Sequence, residues 1–161
     1  MSNYLKLFFL ALAISMNAAW AGDFEDGEAA YAKNDFSTAL TKYKSAAAQG
    51  DAKAQLNLGI MYGEGQGVVQ DYAESVRWYK LAAAQGNAKA QNNLAIMYGA
   101  GQGGMEDYKR AHMWFNLAAV KGYSDAVKNR DIVAKRMTPQ QIAEAQKLAR
   151  ECQARNFKNC D

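Results

Sequence analysis

Apolar residues in the body of the chain recur at helical spacing, in short segments that glycines separate. One apolar stripe predicts a helix over residues 52–62, and a second predicts a helix over Tyr72–Gln85. Asp71 is a suitable N-cap for the second helix, and Glu74 three residues later completes a capping-box pattern. Gly86 fits the left-handed position that follows a helix. Because neither helix can bury its stripe alone, such helix pairs must stack.

The pair of helices is repeated along the chain. Residues 52–87 and 88–123 align without gaps and share runs such as Ile60–Gly63 and Ile96–Gly99. A shorter unit, residues 24–51, keeps the same register but lacks the glycine-rich insert, so its two helices are joined by a much shorter turn. The chain therefore contains about three helix-turn-helix units.

A different pattern follows the last unit. Residues 126–134 can form a helix, and Thr138 then caps a further helix that has Pro139 at its first position. We expect residues 124–161 to form C-terminal capping helices. The predicted fold is all-α, a right-handed α-α superhelical solenoid in which residues 22–123 form the repeats.

The repeats resemble the Sel1-like repeat family, a branch of the tetratricopeptide superfamily. The resemblance covers about residues 24–123 and rests on the run Leu58–Val68, on its copy one period later and on a second motif in each unit. That motif comprises Asp71, Ala73, Trp78, Tyr79, Ala82, Ala83 and Gly86. The resemblance implies a non-enzymatic protein–protein interaction module without a cofactor. It also implies that the first helix of each unit lines a concave groove, which would hold a protein or peptide.

The first 21 residues have the pattern of a secretory signal peptide. Lys6 precedes an apolar run, Leu7–Ile14, and Ala19-Trp20-Ala21 supplies small residues at the two positions that a signal peptidase reads. A transmembrane anchor is the alternative, but the run is well short of the roughly 20 residues that span a bilayer. We expect cleavage after Ala21 and a periplasmic or secreted protein without an integral membrane segment.

Export changes the interpretation of the two cysteines. Cys152 and Cys160 lie close together near the C-terminus, and cysteines in an oxidising compartment tend to pair. We expect a disulfide that holds the C-terminal tail against the last helix.

Charge and composition exclude several classes of function. The formal net charge is +3 at pH 7, from 19 basic and 16 acidic residues, and removal of Lys6 with the signal peptide reduces the basic count to 18. Such a small excess does not indicate nucleic-acid binding. The single histidine excludes most metal sites and most histidine-dependent nucleophiles. We expect a soluble monomer that contains no metal.

Candidates for catalysis are weak. His112, the only histidine, occupies the position of Val76 in the preceding unit, which favours a packed helix residue. The glycine-rich segments 63–67 and 99–103 invite comparison with phosphate-binding loops. They follow a helix instead of a strand, and no Lys-Ser or Lys-Thr pair follows them, so we interpret them as turns between helices. We therefore predict no catalytic residue.

The candidate binding residues lie on the first helix of each long unit. Lys53 and Asn57 share one helix face, and Lys89 and Asn93 repeat them one period later. The arrangement is similar to that by which some tetratricopeptide grooves hold a ligand carboxylate, with lysine as the charge and asparagine as an oriented donor. The residues expected to border this groove are Leu56, Ile60, Asn92 and Ile96. Alternatively, the asparagines have a structural role between repeats and both lysines are solvated.

Three functions remain open. The first is an exported adaptor in envelope assembly, stress response or host interaction. The second is weak β-lactamase or penicillin-binding activity, which is linked to cysteine-rich exported relatives, although the repeats here contain no cysteine. The third is binding of peptidoglycan or its hydrolases.

Overall fold

The computed structural model describes residues 22–160, and all regular secondary structure in this range is helical. The helices are α1 (22–32), α2 (Phe36–Ala48), α3 (Ala52–Glu64), α4 (Tyr72–Ala84), α5 (Ala88–Ala100), α6 (Tyr108–Val120), α7 (Ser124–Ala134) and α8 (Pro139–Ala154). Helices α1 to α6 pack as three antiparallel hairpins that stack in chain order, which confirms the predicted α-α solenoid. The predicted signal peptide, Met1–Ala21, lies outside the described residues.

Short polar side chains begin the helices of the repeats. The Asp51 carboxylate accepts hydrogen bonds from the N–H groups of Lys53 and Ala54, both at 2.8 Å. The Asn87 side chain accepts from the Ala90 N–H at the corresponding position of the next unit, at 3.0 Å. Each such cap stabilises its helix by about 1 kcal/mol, because it satisfies a backbone donor that has no partner within the helix.

The predicted N-cap at Asp71 is confirmed, but the capping box with Glu74 is not formed. The Asp71 side chain accepts from the Glu74 N–H at 3.0 Å, while the Asp71 N–H donates to the Tyr62 carbonyl at 2.9 Å. The Glu74 carboxylate instead accepts from Arg77 Nε at 2.9 Å. The loop before α4 is folded back on α3. The Asp71 N–H therefore donates to the backbone of α3, whereas in a capping box it would donate to the Glu74 side chain.

The glycine-rich loops are contacts between repeats. Gly67 has a φ of +67°, and a Cβ atom there would lie 2.8 Å from the backbone of Phe36, where α2 begins. Gly103, one period later, has a φ of +81°, and its Cβ would lie 2.9 Å from the carbonyl oxygen of Tyr72, where α4 begins. Each loop therefore presses against the second helix of the preceding unit, at a distance and in a conformation that favour glycine.

The interior is built from small residues that alternate with aromatic rings. The Tyr43 ring covers Gly27 and the Tyr79 ring covers Gly59, since a Cβ at either glycine would come within 2.7 Å of the ring. Alanines in the same helices are fully buried, which lets neighbouring helices approach closely. Leu58 and Leu94, at equivalent positions in α3 and α5, have no exposed surface. Leu58 belongs to a cluster formed by the first hairpin and α3, and Leu94 belongs to a second cluster that extends from α3 to α8.

The two C-terminal helices both pack on α6 and cover the end of the stack. Ala126 in α7 is fully buried, as are Ala54 and Ala90 at the equivalent positions of α3 and α5. Ala149 in α8 joins the main apolar cluster. Thr138 caps α8, with Pro139 at its first position as predicted, and also forms a reciprocal capping box with Gln141. Among the helices of residues 22–160, none combines the length and the apolar content that crossing a membrane requires.

Candidate functional site

Helices α1, α3 and α5, which are the first helices of the three hairpins, and α7 lie side by side and form one surface, which we term the A-helix face. Clefts on this surface are lined by residues of neighbouring first helices. Two rows of identical residues run across three of the helices at the repeat spacing. They are the asparagines Asn57, Asn93 and Asn129 and the isoleucines Ile60, Ile96 and Ile132.

The first two asparagines bond to residues of this chain. Asn57 Nδ2 donates to Glu28 Oε1 at 2.6 Å, and the Tyr43 hydroxyl donates to the same carboxylate. Asn93 hydrogen-bonds the Tyr79 hydroxyl one period later. Burial raises the pKa of both tyrosines, and the carboxylate of Glu28 raises that of Tyr43 further. Both asparagines therefore link one hairpin to the preceding one, as the structural alternative would require.

The third asparagine has a different environment. The position equivalent to Tyr43 and Tyr79 is occupied by Phe115, which has no hydroxyl group. Asn129 Nδ2 instead donates to Asn92 Oδ1, at 3.2 Å. This tyrosine-to-phenylalanine change leaves an apolar ring beneath the surface between α5 and α7.

The other predicted groove residues fall into two groups. Lys53 Nζ lies 5.7 Å from the centre of the Phe24 ring, and Lys89 is exposed beside a cavity of about 220 Å³ that Glu28 also lines. Leu56 and Asn92 are only 7% and 4% exposed. The expectation that they border the groove is therefore corrected, because Leu56 belongs to the apolar core and Asn92 is covered beside Asn129, from which its Oδ1 atom accepts a hydrogen bond. A ligand carboxylate at Asn57 would have to approach Glu28, which carries the same charge.

A larger cleft lies between α5 and α7, with a volume of about 330 Å³. Its apolar lining includes Ile96, Phe115 and Ile132, and Arg136 lies at its polar side with Glu106. Ile96 and Ile132 are 42% and 59% exposed, which is high for isoleucine. Of these residues, only Ile96 was predicted from the sequence. The spacing of 36 residues between Ile96 and Ile132 is the sequence signal that could have identified α7 as the second wall of the cleft.

His112 is buried in α6, as its position in the repeat predicted. It is 2% exposed, and its Nδ1 atom has no hydrogen-bond partner within residues 22–160. Burial lowers the pKa of His112 below its usual value, the charge of Arg130 lowers it further, and Asp131 acts in the opposite direction. The imidazole therefore packs in its neutral form.

We expect acidification to destabilise the fold through His112. A folded-state pKa below the unfolded value of about 6.5 means that the unfolded chain binds the proton more tightly. The stability contribution is complete above pH 6.5 and is lost as pH falls towards the folded-state pKa. His112→Val, which introduces the residue found at Val76, should reduce the difference between urea midpoints at pH 7.5 and pH 5. An unchanged difference in this variant would contradict the assignment.

The C-terminal tail is held to the last helix by a disulfide. Cys152 and Cys160 are bonded with an Sγ–Sγ distance of 2.06 Å, as the sequence predicted. The tail places the Phe157 ring 4.5 Å from Lys121 Nζ, and the same ammonium group donates to the Gly86 carbonyl at 2.8 Å. The tail thus bridges the ends of α4, α6 and α8.

Removal of the disulfide by Cys160→Ser should lower the free energy of unfolding by about 2 kcal/mol, because the reduced chain gains conformational freedom when unfolded. Urea unfolding measures the effect. The wild-type protein in excess dithiothreitol serves as the matched control and should show the same midpoint as the variant. A midpoint equal to that of the oxidised wild type would show that the tail is held by other contacts.

The stacked antiparallel hairpins define an α-α solenoid repeat protein. A family model described as "Sel1 repeat" matches residues 52–87 and 88–123. The match shows that this chain contains two Sel1 repeats, and the solved structures described next have a similar fold. Sel1 repeats are generally protein–protein interaction modules, and their fold is typically a non-enzymatic scaffold.

Two solved structures are similar to this chain. One is c5321, a protective antigen present in uropathogenic Escherichia coli strains that displays an SLR fold, with 28% identity, a TM-score of 0.81 and coverage of 88% of this chain. The other is a Sel1 repeat protein from Oxalobacter formigenes, with 32% identity, a TM-score of 0.61 and coverage of 65% of this chain. The alignments span 31% and 41% of those two chains. A comparison with curated proteins gave no match.

Proposed function

We propose that this chain is an exported, non-enzymatic adaptor that binds a segment of a partner protein on its A-helix face. The proposal rests on one observation, the exposure of Ile96 and Ile132 beside the cleft between α5 and α7. Ile96 and Ile132 leave much of their apolar surface in water, although the core immediately beneath them is closely packed. Burial of apolar surface contributes about 25 cal/mol per Å² to binding free energy, so a partner that covers these side chains would form a more stable complex.

The ends of the A-helix face differ from its centre in a way that suits an extended partner. The cavity that spans α1, α3 and α5 is lined mainly by polar residues, among them Glu28 and Lys89. At the end formed by α7, the cleft is lined by apolar residues such as Ile96 and Ile132, together with Arg136 and Glu106. A partner segment that crosses the repeats would meet mainly polar groups near α1 and exposed isoleucines near α7. Such asymmetry fixes the direction in which a bound chain runs.

Photo-crosslinking in cells tests the binding face. A crosslinking amino acid at Ile96 should give an adduct with a specific protein. The same substitution at Leu81 is the matched control, because both residues are 42% exposed but Leu81 lies on α4, outside the A-helix face. Equal adducts at both positions, or an adduct only at Leu81, would contradict the proposed face.

Export is part of the same proposal. The signal-like segment Met1–Ala21 and the pairing of Cys152 with Cys160 both suit an oxidising compartment outside the cytoplasm. A protective antigen with this fold, c5321, is consistent with a role in the envelope or in host contact. N-terminal sequencing of the protein from a periplasmic extract should begin at Gly22. A protein that retains Met1 and stays in the cytoplasmic fraction would contradict export.

A further inference from the structure

We propose that the cleft between α5 and α7 is a subsite for the last residue of a partner chain, with an apolar side chain inside the cleft and its free carboxylate on Arg136. The inference rests on the proposed function and specifies the end of the partner that this face would recognise. It places recognition about one repeat away from the paired lysines and asparagines that the sequence indicated.

The size of the cleft limits what can enter it. Its volume of about 330 Å³ is near the lower end of the range for ligand pockets, which is roughly 300–1,000 Å³. Such a space accepts one large side chain and a few main-chain atoms, but it is too small for a helix. The lining from Ile96, Phe115 and Ile132 is apolar, so the side chain should be branched or aromatic.

The guanidinium of Arg136 lines the cleft and has donors for a planar anion. Its Nη1 atom donates to the Tyr108 hydroxyl at 2.9 Å. A guanidinium carries five N–H groups in a planar fork, so a single bond to Tyr108 leaves donors for both oxygens of a carboxylate. The equivalent positions of the two preceding units hold Glu64 and Ala100, so the arginine is specific to this end of the A-helix face.

Glu106 adds a further restriction. Its exposed carboxylate also lines the cleft, so the site attracts one anion at Arg136 and disfavours a second nearby. An acidic stretch would meet this repulsion along its length. A terminal carboxylate that follows an apolar side chain places its single charge at the arginine, while its apolar group occupies the cleft. The combination favours a chain terminus over an internal acidic motif.

The test is a titration of the ¹⁵N-labelled mature protein, followed by NMR, with eight-residue Gly-Ser peptides that end in Phe, Leu or Val. Each peptide is used as the free acid and as the C-terminal amide. We expect at least one acid to shift amides of α5 and α7, and amidation to weaken binding at least tenfold. Equal binding of acid and amide, or no shift with any of the three acids, would overturn the proposal.

Three variants locate the binding groups. Arg136→Gln should weaken binding of the acid at least tenfold, whereas Glu106→Gln should strengthen it about twofold to threefold. Arg150→Gln, which removes an exposed arginine from α8, is the matched control and should bind like the wild type. Equal effects of the two arginine variants on binding would overturn the proposal. Weaker binding of the acid by Glu106→Gln would also overturn it, because that result would indicate a cationic ligand. Thermal unfolding checks that each variant is folded.

The outcome can be separated from that of the proposed function. If the crosslinker at Ile96 captures a specific partner but acid and amide peptides bind equally, the terminal-residue subsite fails and the binding face stands. If Ile96 and Leu81 give equal adducts, the binding face itself fails, whatever the peptides do.

Discussion

Replacement of Leu94 by alanine is expected to lower the free energy of unfolding by about 2–5 kcal/mol, which is the usual cost of a cavity in a packed core. Leu94 has no exposed surface and lies in α5, within the apolar cluster that joins α3 to α8. Urea unfolding monitored by circular dichroism measures the change. Leu81→Ala is the control, because Leu81 is 42% exposed and should lose about 0.5 kcal/mol or less.

The shape of the unfolding curve is as informative as its midpoint. Each hairpin buries its apolar stripe against its neighbours, so loss of Leu94 should shift one transition of the whole chain. In the alternative outcome, part of the helical signal is lost at a lower urea concentration and the rest keeps the wild-type midpoint. That result would show that the hairpins are not energetically coupled. An unchanged midpoint would show that α5 is not packed as described.

Replacement of Gly67 by alanine is expected to cost about 2–4 kcal/mol. Part of the cost is the left-handed conformation, about 1–2 kcal/mol for a residue with a Cβ atom. The rest is overpacking, since the new atom would lie 2.8 Å from the backbone of Phe36. Gly104→Ala is the matched control, because a Cβ atom there would meet no other part of the chain within 4 Å and the φ of Gly104 is not in the left-handed region. Thermal and urea unfolding of both variants provide the comparison.

The result bears on the interpretation of the glycine-rich loops. If these segments were flexible ligand-binding loops, alanine at Gly67 and at Gly104 would have similarly small effects on the free energy of unfolding. A large effect at Gly67 alone indicates that the loop is a structural contact between the first and second hairpins. Equal stability of the two variants would contradict that contact.

The sequence was sufficient to predict the hairpins because their determinants are local and repeated. Asp71 and Gly86 mark the ends of one helix through their own backbone and side-chain chemistry, and the repeat marks them again one period later. The period also aligned Val76 with His112 and so predicted that the histidine would be packed. Such features need no knowledge of distant contacts.

The details of the candidate site depend on contacts that the repeat does not encode. Glu28 lies 29 residues before Asn57, in a first unit of different length, and nothing local predicts their hydrogen bond. Leu56 and Asn92 were expected at the groove but are buried, Leu56 by residues of later helices in the apolar core and Asn92 beside Asn129, which lies 37 residues later. The sequence therefore identified the helices that form the face and misplaced part of its lining.

The contribution of α7 to the A-helix face was not predicted, for a related reason. Helix α7 keeps Ala126, Asn129 and Ile132 at the repeat spacing, but most of its other residues differ from those of α5. No glycine-rich loop follows α7, although such loops gave the strongest identities between the other units. Three positions were too few to indicate a repeat, although they are the ones that continue the core and the A-helix face.

Hydroxyl-radical footprinting of the wild-type protein, alone and with the partner that crosslinking identifies, tests the central claim most directly. Two pairs of residues have similar exposure in the free protein, Ile96 with Leu81 at 42% each, and Ile132 with Val120 at 59% and 65%. If a partner occupies the A-helix face, oxidation of both isoleucines should fall several-fold while Leu81 and Val120 are unaffected. Protection of Leu81 and Val120 with unchanged isoleucines would contradict the account.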